Sequence, residues 1–221
     1  MTAPARVRIL LADDHQIVRE GLRALLERES QFEIVGEVSD GASAVKFAKK
    51  FLPDIVVMDI TMPNLNGIEA TRQITQEVAE TRVIALSMYV DKHFVAKMLR
   101  AGARGYLRKD CASEELARAI HVVMRNKYYI SPQLGIDSPK DVMNGSEIPN
   151  FIAFSLLTAK EREVLQLVAE GHPTKDIATR IRVSVKTVDK HRARIMDKLD
   201  IHSIAELTKF AIREGITSLE K

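Results

Sequence analysis

Five polar residues stand at the ends of short apolar runs: Asp13 and Asp14 after Arg8–Ala12, Asp59 after Ile55–Met58, Ser87 closing Val83–Ser87, and Lys109 just past Gly105–Leu107. Residues that follow parallel strands share the carboxyl edge of a sheet, where open α/β folds bind ligands, so the five are expected to converge. Three carboxylates brought together repel one another unless a divalent cation neutralises them or one keeps its proton. An all-oxygen donor set of this kind suits Mg²⁺, which keeps several waters and takes one or two carboxylates with phosphate oxygens. A carboxylate can also form an aspartyl phosphate, and Asp59 is the candidate nucleophile. Phosphoryl transfer then asks for positive charge and donors around the transferred oxygens. Lys109 offers an ammonium, Ser87 a hydroxyl, and the cation the remaining neutralisation. The set contains no evident base for rapid turnover, so the chain is expected to be a phosphoacceptor and no enzyme, with at most autophosphorylation and slow autodephosphorylation.

Those residues need a frame to hold them. The apolar runs alternate with amphipathic stretches near Gln16–Glu29, Ala42–Phe51, Ile68–Glu77, Asp91–Ala101 and Ser113–Arg125, with a further run at Glu33–Val38. Five strand–helix repeats predict a parallel sheet covered on both faces, and runs as apolar as Ile55-Val56-Val57-Met58 suit a strand buried on both sides. Ser113 is expected to cap its helix, with Glu114 and Glu115 complementing the dipole. Between Ser131 and Asn150 the residues Pro132, Gly135, Pro139, Gly145 and Pro149 break any period, which predicts a linker. Four helical patterns and no strand follow. Thr158 with Glu161 and Ser203 with Glu206 match capping boxes, and Gly171 and Gly215 sit where helices should stop. The expected division is a first domain at 6–127, a linker at 128–153 and an all-α domain at 154–221.

Bulk properties narrow the partners. With 46% hydrophobic and 29% charged residues the 221-residue chain reads as soluble and globular. Its single cysteine, Cys111, excludes an internal disulfide framework and fits a reducing, cytoplasmic address; it is read as structural. Met1–Arg6 lacks an apolar signal core, and no run approaches the roughly 20 apolar residues of a membrane span. The net charge of +3 is unevenly spread: residues 154–221 hold 13 Lys and Arg against 10 Asp and Glu, leaving the rest of the chain neutral. Between Arg180 and Lys198 seven basic residues face two acidic ones, a concentration that nucleic acid would reward.

That basic stretch has helix-turn-helix spacing. Thr174–Ile181 reads as a short helix, Arg182-Val183 as a tight turn, and Ser184 as the cap of a helix running to about Leu199. On a helical wheel Val185, Val188, Ile195 and Leu199 form the inward face. The opposite face carries Lys186, Lys190, Ala193 and Asp197, flanked by Asp189 and Arg194. Such a face is either simply solvated or able to enter a major groove, where lysines meet phosphates or guanine, Ala193 a thymine methyl and Asp189 a cytosine amine. Arg192 falls inside and is expected to pair with a glutamate of a preceding helix; His191 either packs or reaches a phosphate.

Asp13-Asp14-His15, Asp59-Ile60-Thr61-Met62-Pro63, Asn66-Gly67, Ala85-Leu86-Ser87 and Gly105-Tyr106-Leu107-Arg108-Lys109-Asp110 resemble the receiver domain of bacterial two-component response regulators over about residues 6–127. The resemblance implies a doubly wound five-stranded parallel sheet of order 2-1-3-4-5. It also implies Mg²⁺ bound through Asp14, Asp59 and the Thr61 carbonyl, with Asp13 holding metal-bound water, and a sensor histidine kinase as phosphodonor. Tyr106 falls on the family's switch aromatic, whose ring turns inward as Ser87 moves toward the phosphoryl group; an ordinary packed aromatic is the alternative. Arg108 stands where an apolar residue is expected. His15 is read as a helix-start residue. Leu157-Thr158-Ala159-Lys160-Glu161-Arg162-Glu163, Ala169-Glu170-Gly171, Lys175-Asp176-Ile177-Ala178, Lys186-Thr187-Val188, His191-Arg192 and Lys198-Leu199 are similar to the LuxR-type domain of the NarL/FixJ class. That implies four helices, the third for recognition and the fourth for dimerisation.

Together these resemblances imply a transcription regulator in which phosphorylation of Asp59 frees the second domain to dimerise on double-stranded DNA, with RNA polymerase as a further candidate partner. The candidate DNA contacts are Lys186, Thr187, Asp189, Lys190, His191, Ala193 and Arg194. Two other classes compete. A haloacid-dehalogenase-like phosphatase needs a second Asp two residues after its nucleophile, where this chain has Thr61. A phosphorylation-independent interaction module would not need the complete acidic set.

Overall fold

The computed structural model describes residues 6–89, 91–136, 138–144 and 156–217, apart from the side chains at 111, 113, 114, 141 and 144. The chain divides into two compact units, Met1–Gly145 and Ser146–Lys221.

The first unit alternates β1 (Val7–Ala12), α1 (Gln16–Leu26), β2 (Phe32–Val38), α2 (Gly41–Phe51), β3 (Ile55–Asp59), α3 (Gly67–Glu77), β4 (Arg82–Ser87), α4 (Lys92–Arg100), β5 (Gly105–Arg108) and α5 (Ala112–Met124). All pairs are parallel, in the order β2-β1-β3-β4-β5-β6, where β6 is Tyr129–Ile130. Successive side chains of a strand point to opposite faces, and the core divides accordingly. Ile9, Leu11, Ile55, Val57, Ile84, Leu86 and Leu107 pack with Leu22, Leu26, Leu116 and Ile120 of α1 and α5. Leu10, Ala12, Val56 and Met58 face Ala44, Ala48, Ala70 and Ile74 of α2 and α3. Ala85 and Tyr106 face Phe94, Val95, Met98 and Leu99 of α4.

The sheet has one strand more than expected. Tyr129–Ile130 forms β6, which pairs with β5 through Gly105↔Tyr129 and Tyr106↔Ile130. A 3-10 turn at Pro132–Leu134 and a helix α6 at Pro139–Asn144 follow. The stretch read as linker from Ser131 therefore holds regular structure at Pro132–Leu134 and Pro139–Asn144. Pro132 and Pro139 sit at a turn start and a helix start, where a missing N–H costs nothing. The remainder, 145–153, lies outside the described residues. Ser113 does not stand before its helix: a 3-10 turn at Lys109–Cys111 runs into α5 at Ala112, so Ser113 is already inside the first turn. Its side chain, and the reading of Cys111 as structural, lie outside the described residues.

The second unit has α7 (Ala159–Ala169), α8 (Thr174–Arg180), α9 (Val185–Leu199) and α10 (Ile204–Arg213). Thr158 and Glu161 form the reciprocal capping box, Ser184 and Ser203 cap α9 and α10, and Gly171 and Gly215 adopt φ of 81° and 67° after their helices. Val164, Leu165, Val168, Ile177, Val188, Ile195, Leu207 and Phe210 make one core.

Candidate functional site

Strand register sets the carboxyl edge of the sheet. Ala12 lies beside Met58, Asp59 beside Leu86 and Ser87 beside Arg108, so Asp13, Asp59, Ser87 and Lys109 leave neighbouring strands at one end. Asp13 and Asp59 are buried. Lys109 Nζ stands 2.8 Å from Asp13 Oδ2 and 2.9 Å from Asp59 Oδ2. Those two oxygens receive no well-angled hydrogen bond among the described residues, so the ammonium compensates them chiefly through charge. Asp14 is half-buried beside them. His15 opens α1 as read, and its ring also joins the cluster, with Nδ1 2.9 Å from Asp14 Oδ1 and 3.2 Å from Asp13 Oδ1. One donor atom each from Asp13, Asp14, His15 and Asp59 falls within 4.8 Å of the others.

The charges are held out of balance. Burial raises the Asp59 carboxyl to about 6; Lys109 pulls it down, while Asp13 and Asp14 push it up. Burial draws the Lys109 ammonium down, but Asp59 and Asp13 outweigh this and raise it. A compact divalent cation fits such a cluster, because buried carboxylate oxygens lacking donors are the groups it would satisfy.

The loop after β3 depends on Asn66 and Gly67. Asn66 Oδ1 accepts from Glu69 N at 2.9 Å and starts α3. Gly67 N donates to Ile60 O at 2.8 Å, and a Cβ at Gly67 would overlap the Asp59 carbonyl oxygen. The motif thus brings α3 against the backbone of Asp59, with Thr61 half-buried in the loop between.

Ser87 and Tyr106 meet through Tyr89. Ser87 Oγ accepts from Tyr89 N at 2.9 Å, and Tyr106 OH donates to Tyr89 O at 3.0 Å. Tyr106 is fully buried, its ring inside the α4 core, and burial drives its hydroxyl pKa up. Arg108, unexpected in its position, directs its guanidinium to Asp110 and stays half-buried.

In the second unit, Lys186, Asp189, Lys190, Ala193, Arg194 and Asp197 of α9 are exposed together, while Val188 and Ile195 are buried. Thr187 and His191 are half-buried; the Thr187 hydroxyl lies 2.8 Å from Ser184 Oγ, within the cap. Two expectations need correction. Val185, placed inward by the wheel, is 42% exposed. Arg192 donates to Thr174 Oγ1 at 3.1 Å, and Lys198 instead reaches a glutamate of a preceding helix, with Nζ 2.7 Å from Glu161 Oε2 and 3.0 Å from Leu156 O. Burial pulls the Glu161 carboxyl up, but the hydrogen bonds from Lys198 and Thr158 prevail and hold it below the ordinary value.

A doubly wound parallel sheet with a lysine-bridged carboxylate cluster at its carboxyl edge, in one chain with a basic helix-turn-helix, defines a receiver coupled to a DNA-binding module. Residues 9–121 match the family described as Response regulator receiver domain, and residues 155–211 match Bacterial regulatory proteins, luxR family. Response regulator UvrY of Escherichia coli K12 is 34% identical over 97% of both chains. Oxygen regulatory protein NreC of Staphylococcus haemolyticus is 34% identical over 95% of this chain and 99% of its own. Transcriptional regulatory protein DegU of Brevibacillus brevis is 33% identical over 95% and 94%. Among solved structures, a LuxR-family two-component response regulator from Aurantimonas sp. SI85-9A1 is 40% identical with a TM-score of 0.57, covering 59% of this chain and 94% of its own. A two-component response regulator RcsB–DNA complex is 25% identical with a TM-score of 0.55, covering 93% and 97%. The chain belongs to the two-component response regulators of the NarL/FixJ class, which regulate transcription.

Proposed function

We propose that Asp59 is the phosphoacceptor and that its phosphorylation controls DNA binding by α9. The observation carrying this reading is the buried Asp13–Asp59–Lys109 cluster, whose two ion pairs of 2.8 and 2.9 Å place positive charge beside the candidate nucleophile. One Asp59 carboxylate oxygen bonds to phosphorus as the phosphorus–nitrogen bond of a kinase phosphohistidine breaks. Lys109 then turns from the carboxylates to a phosphoryl oxygen, and the Ser87 hydroxyl donates to another. Asp13, Asp14 and Asp59, with the Thr61 carbonyl, would hold Mg²⁺, which supplies charge neutralisation at the phosphoryl oxygens. With no base poised for hydrolysis in this set, the phosphoryl group persists as a signal.

Lys186, Lys190 and Arg194 are the leading candidates for phosphate and guanine contacts, with Asp189 and Ala193 facing bases. Thr187 and His191, half-buried, stand at the margin of that surface. α10 is the candidate dimer contact, and Ile204 at its start is 39% exposed. The receiver, expected at 6–127, is read as reaching past 127 to take in β6, with the DNA-binding domain over 154–221. A single cysteine and a phosphorelay from a sensor kinase to DNA fit the cytoplasm, where RNA polymerase is the further partner.

Full-length protein incubated with a small acyl phosphate and Mg²⁺ should shift on a phosphate-affinity gel and bind operator DNA more tightly in a mobility assay. Asp59→Asn should lose both responses. Retention of either in that variant removes Asp59 from its role.

A further inference from the structure

The residues between the receiver core and the second unit are held on the receiver in two unequal ways. The nearer part is built into the fold by backbone and buried polar bonds. Tyr129 N donates to Arg104 O at 3.0 Å and Ser131 N to Tyr106 O at 2.9 Å. Ser131 Oγ donates to Glu115 Oε2 of α5 at 2.6 Å, with Tyr129 OH 3.2 Å from the same oxygen. The farther part rests on α4 through side chains. Leu134 is buried with Phe94, Met98 and Tyr106, and Ile136, Val142 and Met143 pack half-buried against that cluster. Arg100, the last residue of α4, donates from Nε and Nη2 to Met143 O at 3.0 and 2.7 Å, where α6 presents the negative end of its dipole.

A six-residue helix has no stability of its own in water, because nucleation outweighs the few hydrogen bonds it can make. The helical state of α6 therefore depends on its seat on α4. That seat adjoins the candidate switch residues. Tyr89 is bonded at its N–H to Ser87 Oγ and at its carbonyl to Tyr106 OH, and its ring stacks on Phe94 with centroids 4.3 Å apart and planes at 16°. Phe94 belongs to the cluster against which Ile136, Val142 and Met143 lie.

We propose that α6, with Ile136 ahead of it, is a releasable strap, docked on α4 in the unphosphorylated protein and freed when the Asp59 phosphoryl group draws Ser87 toward it. This rests on Asp59 being the phosphoacceptor. Movement of Ser87 carries the Tyr89 N–H that bonds it, Tyr89 shifts on Phe94, and the apolar seat of Val142 and Met143 changes shape. Release unfolds α6, while β6 stays anchored through Ser131 and Glu115. The connection to the second unit thereby lengthens from residue 136 onward without loss of receiver structure. The α4 face is uncovered in the same step.

Hydrogen exchange on the full-length protein tests this, with Asp59 labelling by a small acyl phosphate and Mg²⁺ read in parallel on a phosphate-affinity gel. Phosphorylation should speed exchange of the α6 amides by about tenfold or more and leave those of Tyr129 and Ser131 unchanged. Arg100→Ala should speed α6 exchange about tenfold with no phosphodonor, the effect of deleting a charge-assisted hydrogen bond. Val142→Ser should act in the same direction, and both variants should still label at Asp59. Labelled wild-type protein with unchanged α6 exchange overturns the strap and leaves the phosphoacceptor reading standing. Absence of label on wild-type Asp59 overturns that reading and the strap with it.

Discussion

Burial raises the Asp59 carboxyl to about 6 from an ordinary 3.8, Lys109 opposes the rise, and Asp13 and Asp14 reinforce it. Between those two pH values the folded protein binds more protons at Asp59 than the unfolded chain does. The contribution of Asp59 to stability therefore falls as pH rises through this window, and the penalty is complete above about 6. Without divalent cation, Asp59→Asn removes that penalty. Its stability advantage over wild type should grow between about pH 4 and about pH 7, by on the order of 1–3 kcal/mol. Urea unfolding of the full-length pair in a chelator measures it, and an advantage that does not grow with pH would show that Asp59 ionises unopposed. The residues of this site were legible in the sequence because each follows an apolar run that can only be a buried strand, and parallel strands share their carboxyl edge. The reach of His15 into the cluster was not. Adjacent Asp13 and Asp14 hinted at it, but a ring at a helix start turns either way until the loop geometry is known.

Between elements, an ion pair ties the end of α9 to α7, beside the core contacts of Val188 and Ile195 and the Arg192–Thr174 hydrogen bond. Lys198 near the end of α9 meets Glu161, whose carboxylate already closes the capping box of α7. Glu161 is buried and its partner one-third exposed, so the pair is worth more than a surface contact and less than a buried charge. Lys198→Met should lower the thermal midpoint of the second unit, at a cost of roughly 1 kcal/mol. The Glu161 carboxyl lies below its ordinary 4.5 in the fold. Its contribution is thus present above pH 4.5 and lost as pH falls through the folded value, so the two proteins should converge in acid. A melt of full-length Lys198→Met that matches wild type at neutral pH would show the pair to be idle. The helical wheel assigned this contact to Arg192 and buried Val185 because it reports angle alone. It does not report which inward-facing positions a neighbouring helix covers, and Val185 in the first turn of α9 is left exposed. The strand β6 was equally hidden: two residues have no period to read, and the flanking prolines suggested a break where they serve as turn and helix starts.

For the whole molecule, the excess charge lies in residues 154–221, and the basic stretch from Arg180 to Lys198 concentrates it on and around one helix. Binding to DNA then releases counterions in proportion to the phosphates met, and the slope of log affinity against log salt counts them, at about −0.9 per phosphate. If phosphorylation acts by pairing two copies through α10, each brings the same exposed Lys186, Lys190 and Arg194. The slope for the bound complex should then steepen about twofold over that of the unphosphorylated monomer. The paired helices should also prefer inverted half-sites about one helical turn apart. If phosphorylation only unmasks a single copy, affinity rises with the slope unchanged. We expect the steeper slope, measured on the full-length protein with and without acyl phosphate across a salt series. We also expect Lys186→Ala to lower the slope by about one per copy, hence by about two in the paired state. A parallel rise in affinity at constant slope would exclude dimerisation as the step that phosphorylation controls.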